Sequence, residues 1–319
     1  MGLQLFKKIV KTTDSFLARK HCSEIISDFP QVKMRVQRCP TIASLRKIND
    51  SLKALTATSD GSVNEIADVI SRDISLTSRL LRQVNSVFSG LTVKVTSLEE
   101  AIFYLGLRQV RQLAITTRVV DEIECFDNGR EAIDWQSFWR HSIGTGIITR
   151  EILMMTKGNG DDDLYYLCGL LQNIGKLVIY NVFPDALLKA QDVEFESKEA
   201  LIQFQQATFG WDYTQIGGLY LELNNMPQPL VEAVLFQNTP GLSRDHRHLA
   251  SGVQIAENIC RFGGCHAPFD QLEPVRERSW EELEGWKLLF GKSNREEHVA
   301  RAGIANCIAQ FPTLLKGLL

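Results

Sequence analysis

Residues 170–176 read Leu-Leu-Gln-Asn-Ile-Gly-Lys, which sets two carboxamides side by side and an ammonium three residues beyond the second. Adjacent polar side chains at one end of a helix can converge on a divalent cation, but what they do there depends on their type. Asn173 offers a neutral carbonyl oxygen, and Gln172 offers no basic nitrogen lone pair. A tight transition-metal site wants the imidazole nitrogen and the anion that this pair lacks. The plainer reading makes Gln172 and Asn173 ordinary polar residues at a helix end, and the dipeptide alone leaves both readings open.

Other reactive groups are weaker signals. Cys260-x4-Cys265-His266 combines two thiols and an imidazole, yet its spacing departs from C-x2-C knuckles and no fourth ligand is obvious. His246 and His248 face different sides of a helix, if helical, which argues against a shared metal. Asp161 to Asp163 read as an acidic loop tip capping a helix that starts near Leu164, without the alternating oxygen ligands of a calcium loop. Trp135, Phe138 and Trp139 share one helical face, the mark of core packing, and Phe88 and Phe103 also read as core.

These groups belong to a chain of 319 residues, long enough for one large domain or two ordinary ones. A hydrophobic content of 44% supplies a real core, and 23% charged residues suit a soluble surface. The net charge of −3 gives no general attraction to nucleic acid or anionic membrane, so neither is expected as a partner. Seven scattered cysteines, an odd number, point to reduced thiols in a cytoplasmic protein rather than a disulfide framework. No apolar run approaches bilayer-spanning length and no signal-peptide pattern opens the chain.

Helix signals dominate the elements that must position these residues. Ser62–Glu65, Ser97–Glu100, Ser279–Glu282 and Ser293–Glu296 fit the S-x-x-E capping box. Val63, Ile66, Ala67 and Ile70 lie on one helical face, followed after a break by Leu76, Leu80, Leu81 and Val84. Leu91 to Thr96 is the one short strand candidate. Breaks fall at 127–129, 157–163 and Pro240-Gly241. Near the start, Leu5, Phe6, Ile9, Val10, Phe16 and Leu17 oppose Lys7, Lys8 and Lys11, a face that packs on a parent domain more often than on a membrane. The fold class is all-α.

Several ordered motifs then match one family. Residues 62–90, from Ser-Val-Asn-Glu-Ile-Ala to Val-Phe-Ser-Gly, and 96–113, Thr-Ser-Leu-Glu-Glu-Ala-Ile-Phe-Tyr-Leu-Gly-Leu-Arg-Gln-Val-Arg-Gln-Leu, resemble the opening of the HD-related output domain (HDOD) family. Phe138-Trp139-Arg140-His141-Ser142 resembles the segment carrying its first HD-type histidine. Residues 170–176 resemble the Leu-His-Asp-Ile-Gly-Lys signature of HD phosphohydrolases, and Phe209-Gly210-Trp211-Asp212-Tyr213 through Gly217 resembles Phe-Gly-x-Asp-His-x-x-x-Gly. The resemblance spans about 40–240. It implies that His141 retains a ligand position while Gln172 and Asn173 replace the His-Asp pair. Tyr213 stands where many relatives have histidine, Gln237-Asn238 where a His-His pair often precedes proline, and Glu257 loosely matches a final acidic ligand.

The resemblance therefore implies an HD-domain/phosphodiesterase-like helical bundle without phosphohydrolase activity, with no cofactor and no metal. His141, Gln172, Asn173, Lys176, Tyr213, Gln237 and Asn238 would line the vestigial pocket, either as a hydrogen-bonded plug or around a small phosphate or nucleotide ligand. The expected role is bacterial-type signal transduction through protein partners. The alternatives are a metal-dependent phosphohydrolase with an atypical site and a DNA-binding regulator using the helix-turn-helix-like residues 62–85. Expected boundaries are a helical extension over 1–35, an N-terminal helical subdomain over 36–130, an HD-like subdomain over 131–240 and C-terminal helices over 241–319.

Overall fold

The computed structural model describes residues 30–39, 67, 70–71, 74–87, 94–123, 133–156, 162–183, 195–267 and 272–315. These fold as an all-α bundle, with α1 (Pro30–Val36), α2 (Ile74–Val87), α3 (Leu98–Ile123), α4 (Trp135–Thr156), α5 (Asp162–Leu170) and α6 (Ile174–Val182). There follow α7 (Lys198–Phe209), α8 (Tyr213–Leu223), α9 (Gln228–Leu235), α10 (Arg247–Phe262), α11 (Glu284–Phe290) and α12 (Asn294–Leu315). Among the described residues the β pairing is a single parallel bridge between Phe195 and Leu272.

Helix α4 is the axle. Every residue from His141 to Arg150 is buried, so the helix has no solvent face in that stretch, and α5 and α10 pack along it. One of its sides joins Ile143 and Ile147 to the core formed with α5, α6, α8 and α9. Another side, through Ile148 and Ile152, joins Ile255, Trp286 and Phe311 of α10, α11 and α12. A third core unites Ala67, Ile70, Leu80 and Val84 with the first half of α3. Trp135, Phe138 and Trp139 pack on one another as expected, with Phe138 and Trp139 ring centroids 5.0 Å apart.

Two motif glycines set how α6 meets α8. A Cβ on Gly175 would stand 1.8 Å from the Tyr213 carbonyl oxygen and 2.7 Å from the Gly217 nitrogen, so the helices cross at backbone contact. Gly175→Ala is accordingly expected to cost about 1–3 kcal/mol or more, read as a lower urea midpoint, because backbone cannot rotate aside as a side chain can. An unchanged midpoint would mean that the crossing is looser than it stands here.

Several expectations are met and others corrected. Ser97 and Ser293 cap α3 and α12 by accepting the Glu100 and Glu296 amides at 3.3 and 3.2 Å. Ser279 does not cap; it lies within a 3-10 turn whose preceding residue is Arg278, and its hydroxyl donates to Asn258 at 2.9 Å. Lys94 to Thr96 form no strand. The Asn85 side chain instead takes both backbone groups of Val95, its Nδ2 donating to the carbonyl at 2.9 Å and its Oδ1 accepting the amide at 2.9 Å. Phe103 is not core but 79% exposed, because Ala101, Ile102 and Leu105 take the inward face of α3. His246 precedes α10 rather than lying in it, and its ring centroid is 6.5 Å from that of His248. The segment 1–29, the Ser62–Glu65 box, Phe88, the break at 127–129 and residues 157–161 lie outside the described residues.

Candidate functional site

His141 sits on the buried stretch of α4 with 1% of its surface exposed. Its Nδ1 is 2.8 Å from the Cys265 carbonyl oxygen, which can only accept, so Nδ1 carries a proton. Its Nε2 faces the Gln172 side-chain nitrogen at 3.0 Å and accepts from it. Protonation of Nε2 would turn that pair round, with Gln172 Oε1 accepting instead. Gln172 occupies the turn between α5 and α6, and its backbone carbonyl accepts from Gln237 Nε2 at 2.8 Å. The same Gln237 nitrogen donates to the Val234 carbonyl at 2.9 Å, which fixes the orientation of its amide.

A second chain of contacts runs alongside. Tyr213 opens α8, where Asp212 and Gln215 form a reciprocal capping box that starts the helix at this residue. Gly210 closes α7 with φ 83°, a left-handed conformation that suits glycine, and so turns the chain back into the cap. The Tyr213 amide donates to Gln205 Oε1 at 2.9 Å, and its hydroxyl receives Asn238 Nδ2 at 3.1 Å. Lys176, in the first turn of α6 and almost wholly buried, lies with its ammonium 4.6 Å from the centre of the Tyr213 ring. The Asn238 carbonyl is held by Gln254 Nε2 at 3.0 Å.

Glu257 on α10 forms a third feature. It is 3% exposed and ion-paired with Lys198, the first residue of α7. Burial pushes its carboxyl up, but Lys198, Arg261 and the charged form of His141 outweigh that and hold it at about 2. Lys198 had no signal in the sequence, since its partner is 59 residues away. The roles of Cys265, Gln205 and Gln254 at the site had no signal either, since each acts through a bond between a side chain and a backbone group 8 to 124 residues apart.

The seven expected pocket residues thus divide. His141, Gln172 and Gln237 are bonded in one line, and Lys176, Tyr213 and Asn238 in another, joined through the neighbours Gln237 and Asn238. Asn173 is 1% exposed, and neither its amide oxygen nor its amide nitrogen has a hydrogen-bond partner. It stands at the start of α6 without capping it. Gln172 Oε1 and Gln237 Oε1 are likewise unmatched.

A central helix buried on all sides from His141 to Arg150, flanked by helices that bring a helix-end amide pair and a carboxylate inward beside its histidine, defines an HD-related all-α scaffold. The chain belongs to the HDOD domain family, whose profile matches residues 42–240. It is similar to an uncharacterized protein of Treponema pallidum, 26% identical over 217 residues, covering 67% of this chain and 41% of that one, so the chain spans less than half that relative's length. Solved structures share the fold. An HDOD domain protein from Geobacter sulfurreducens superposes with a TM-score of 0.59 at 22% identity, covering 94% of this chain and 97% of its own. A candidate phosphohydrolase from Shewanella amazonensis gives 0.57 at 23%, covering 88% and 99%. A candidate signal transduction protein from Marinobacter aquaeolei gives 0.53 at 19%, covering 80% and 55%. Among the described residues no helix is long and apolar enough to cross a membrane.

Proposed function

We propose that this chain is a non-catalytic regulatory protein on an HD-like scaffold, working through contacts with protein partners of a signalling pathway. The observation that carries the reading is how the ligand-type groups are spent. Both ring nitrogens of His141 are engaged by protein, and the carboxylate of Glu257 faces the ammonium of Lys198. A divalent cation placed here would meet one engaged imidazole, two neutral amides and a carboxylate already neutralised, a donor set that does not fit Mn, Fe or Zn. Among the described residues no three His, Cys, Asp or Glu side chains group so as to hold a metal ion.

A bare phosphate is a poor match for the same pocket. Of the four unmatched side-chain atoms of Gln172, Asn173 and Gln237, three are oxygens that accept and one, the Asn173 nitrogen, donates, while phosphate needs several donors. A nucleotide base with exocyclic amino groups suits those three oxygens better than a phosphate group does. The description of the Marinobacter relative as a signal transduction candidate agrees with the regulatory reading. The Shewanella relative's description favours the alternative, a phosphohydrolase with an atypical site. DNA binding through 62–85 has less behind it, since α2 turns Leu80, Gln83 and Val84 inward.

Metal analysis of protein purified without chelator, with hydrolysis assays on nucleotides and phosphate esters, tests the proposal. The expected result is substoichiometric Mn, Fe and Zn and no turnover. Stoichiometric metal with turnover abolished by His141→Ala overturns it.

A further inference from the structure

Helix α10 ends in a turn that sets two cysteines against each other. Gly264 adopts φ 78°, and the Cys265 amide reaches back to the Cys260 carbonyl at 3.1 Å while the Gly264 amide reaches Arg261 at 3.0 Å. These are the paired bonds of a Schellman motif, in which the first and sixth side chains meet. Here both are thiols, standing at the first and sixth positions of the motif. Residues joined by such a backbone bond hold their Cα atoms within the about 4.4–6.8 Å that a disulfide spans.

We propose that Cys260 and Cys265 form a reversible redox site, oxidised by a peroxide to a disulfide within the chain. The two sulfurs are unequal. Cys260 lies within α10 with no exposed surface and its sulfur 3.6 Å from the His141 carbonyl, whereas Cys265 lies beyond the helix end between the exposed Gly264 and His266. Cys265 is therefore the nucleophile. Its thiolate attacks a peroxide oxygen, the O–O bond breaks, and the released hydroxide takes a proton to leave as water. The Cys260 sulfur then attacks the resulting sulfenic acid, the S–O bond breaks, and the Cys260 proton leaves with that oxygen as a second water. Two thiols and one hydrogen peroxide give one disulfide and two waters.

Access and consequence both follow from the turn. Cys265 is buried, but Gly263, Gly264 and His266 beside it are exposed, so a small local opening reaches its sulfur. The Cys265 carbonyl holds His141 Nδ1 at 2.8 Å, and Cys260 Sγ lies 3.6 Å from the His141 carbonyl. Closing the S–S bond acts on both of these contacts with His141. The inference does not depend on whether the pocket is catalytic.

The test is a nonreducing tryptic digest of the full chain after hydrogen peroxide treatment and thiol blocking. Cleavage after Arg247, Arg261 and Arg276 separates 248–261, which holds Cys260, from 262–276, which holds Cys265. The expected product is these two peptides joined, about 2 Da below their summed mass. It should form before the buried Cys39, Cys168 and Cys307 react, be reversed by dithiothreitol and be absent from Cys260→Ser. Separate peptides with Cys265 carried on to sulfinic acid, or cross-links to other cysteines first, overturn the proposal, and the wild-type digest decides it even if the variant does not fold.

Discussion

Lys198→Met is expected to destabilise the protein by about 3–5 kcal/mol, because it leaves Glu257 as a buried carboxylate without its partner. The methionine fills the space of the lysine stem, so the loss is electrostatic rather than a cavity. Lys198→Met combined with Glu257→Leu should recover most of it, since replacing both members of a buried pair by apolar groups is often close to neutral. Urea midpoints of the two single variants and the double variant measure the coupling directly. The pair also predicts an acid limb. The folded carboxyl sits at about 2 against an ordinary 4.5, so its contribution is complete above 4.5 and is lost as the pH falls from there through about 2. That amounts to roughly 3 kcal/mol. Lys198→Met should flatten this limb. A single-variant loss near zero, or an unaltered acid limb, would remove Lys198 from the account of the site.

The placement of that ammonium bears on the proposed loss of a metal site. A metal ion in a phosphohydrolase supplies positive charge among carboxylates and imidazoles, and here one lysine supplies charge to one carboxylate. An ammonium has no open coordination positions, so on the proposed reading it holds the scaffold together where a metal would polarise a phosphate or acidify a water. Gln172 and Gln237 extend the same change, linking α4, the α5–α6 turn and the end of α9 through neutral hydrogen bonds. Neutral links at these positions stabilise one arrangement of the helices without asking for an ion.

How much of this was legible in the sequence depended on the range of the interaction. Helix starts read from local pattern held where the cap is local, as at Ser97 and Ser293, and failed at Ser279, where a neighbour from α10 captures the hydroxyl. Phe103 misled because hydrophobicity says only that a residue can be buried. Which face of α3 turns inward is decided by Ile102 and Leu105 meeting α2. Lys94–Thr96, the described part of the strand candidate, misled because β-branched residues suit an extended chain, and here the Asn85 side chain takes both backbone groups of Val95. At the site, residue types said which groups could not bind a metal tightly. The partners that Glu257 and His141 have here, Lys198 and the Cys265 carbonyl, lie 59 and 124 residues from them, separations at which no spacing rule operates.

Asn173→Asp is the substitution that separates an emptied site from a dormant one. In the present structure the Asn173 amide is buried with no partner on either atom, so an aspartate of the same shape inherits no donors. Burial without donors raises a carboxyl pKa, and the group then takes a proton rather than remain charged. The cost at pH 7 is bounded by that protonation at about 4 kcal/mol, the free energy of neutralising a carboxyl of ordinary value 3.9. The sign is opposite to that of Glu257. The folded value lies above the unfolded one, so the penalty is absent below about 3.9, grows as the pH rises, and levels off past the folded value. Thermal melts of Asn173→Asp should therefore fall well below wild type at pH 7 and converge with it near pH 4, and added Mn²⁺ should leave them unmoved. A dormant HD site behaves otherwise. There the restored carboxylate would find its cation, and the melting temperature would rise with Mn²⁺ concentration as binding to the folded state requires. That outcome would favour the phosphohydrolase alternative, and the contrary one supports the proposed non-catalytic scaffold.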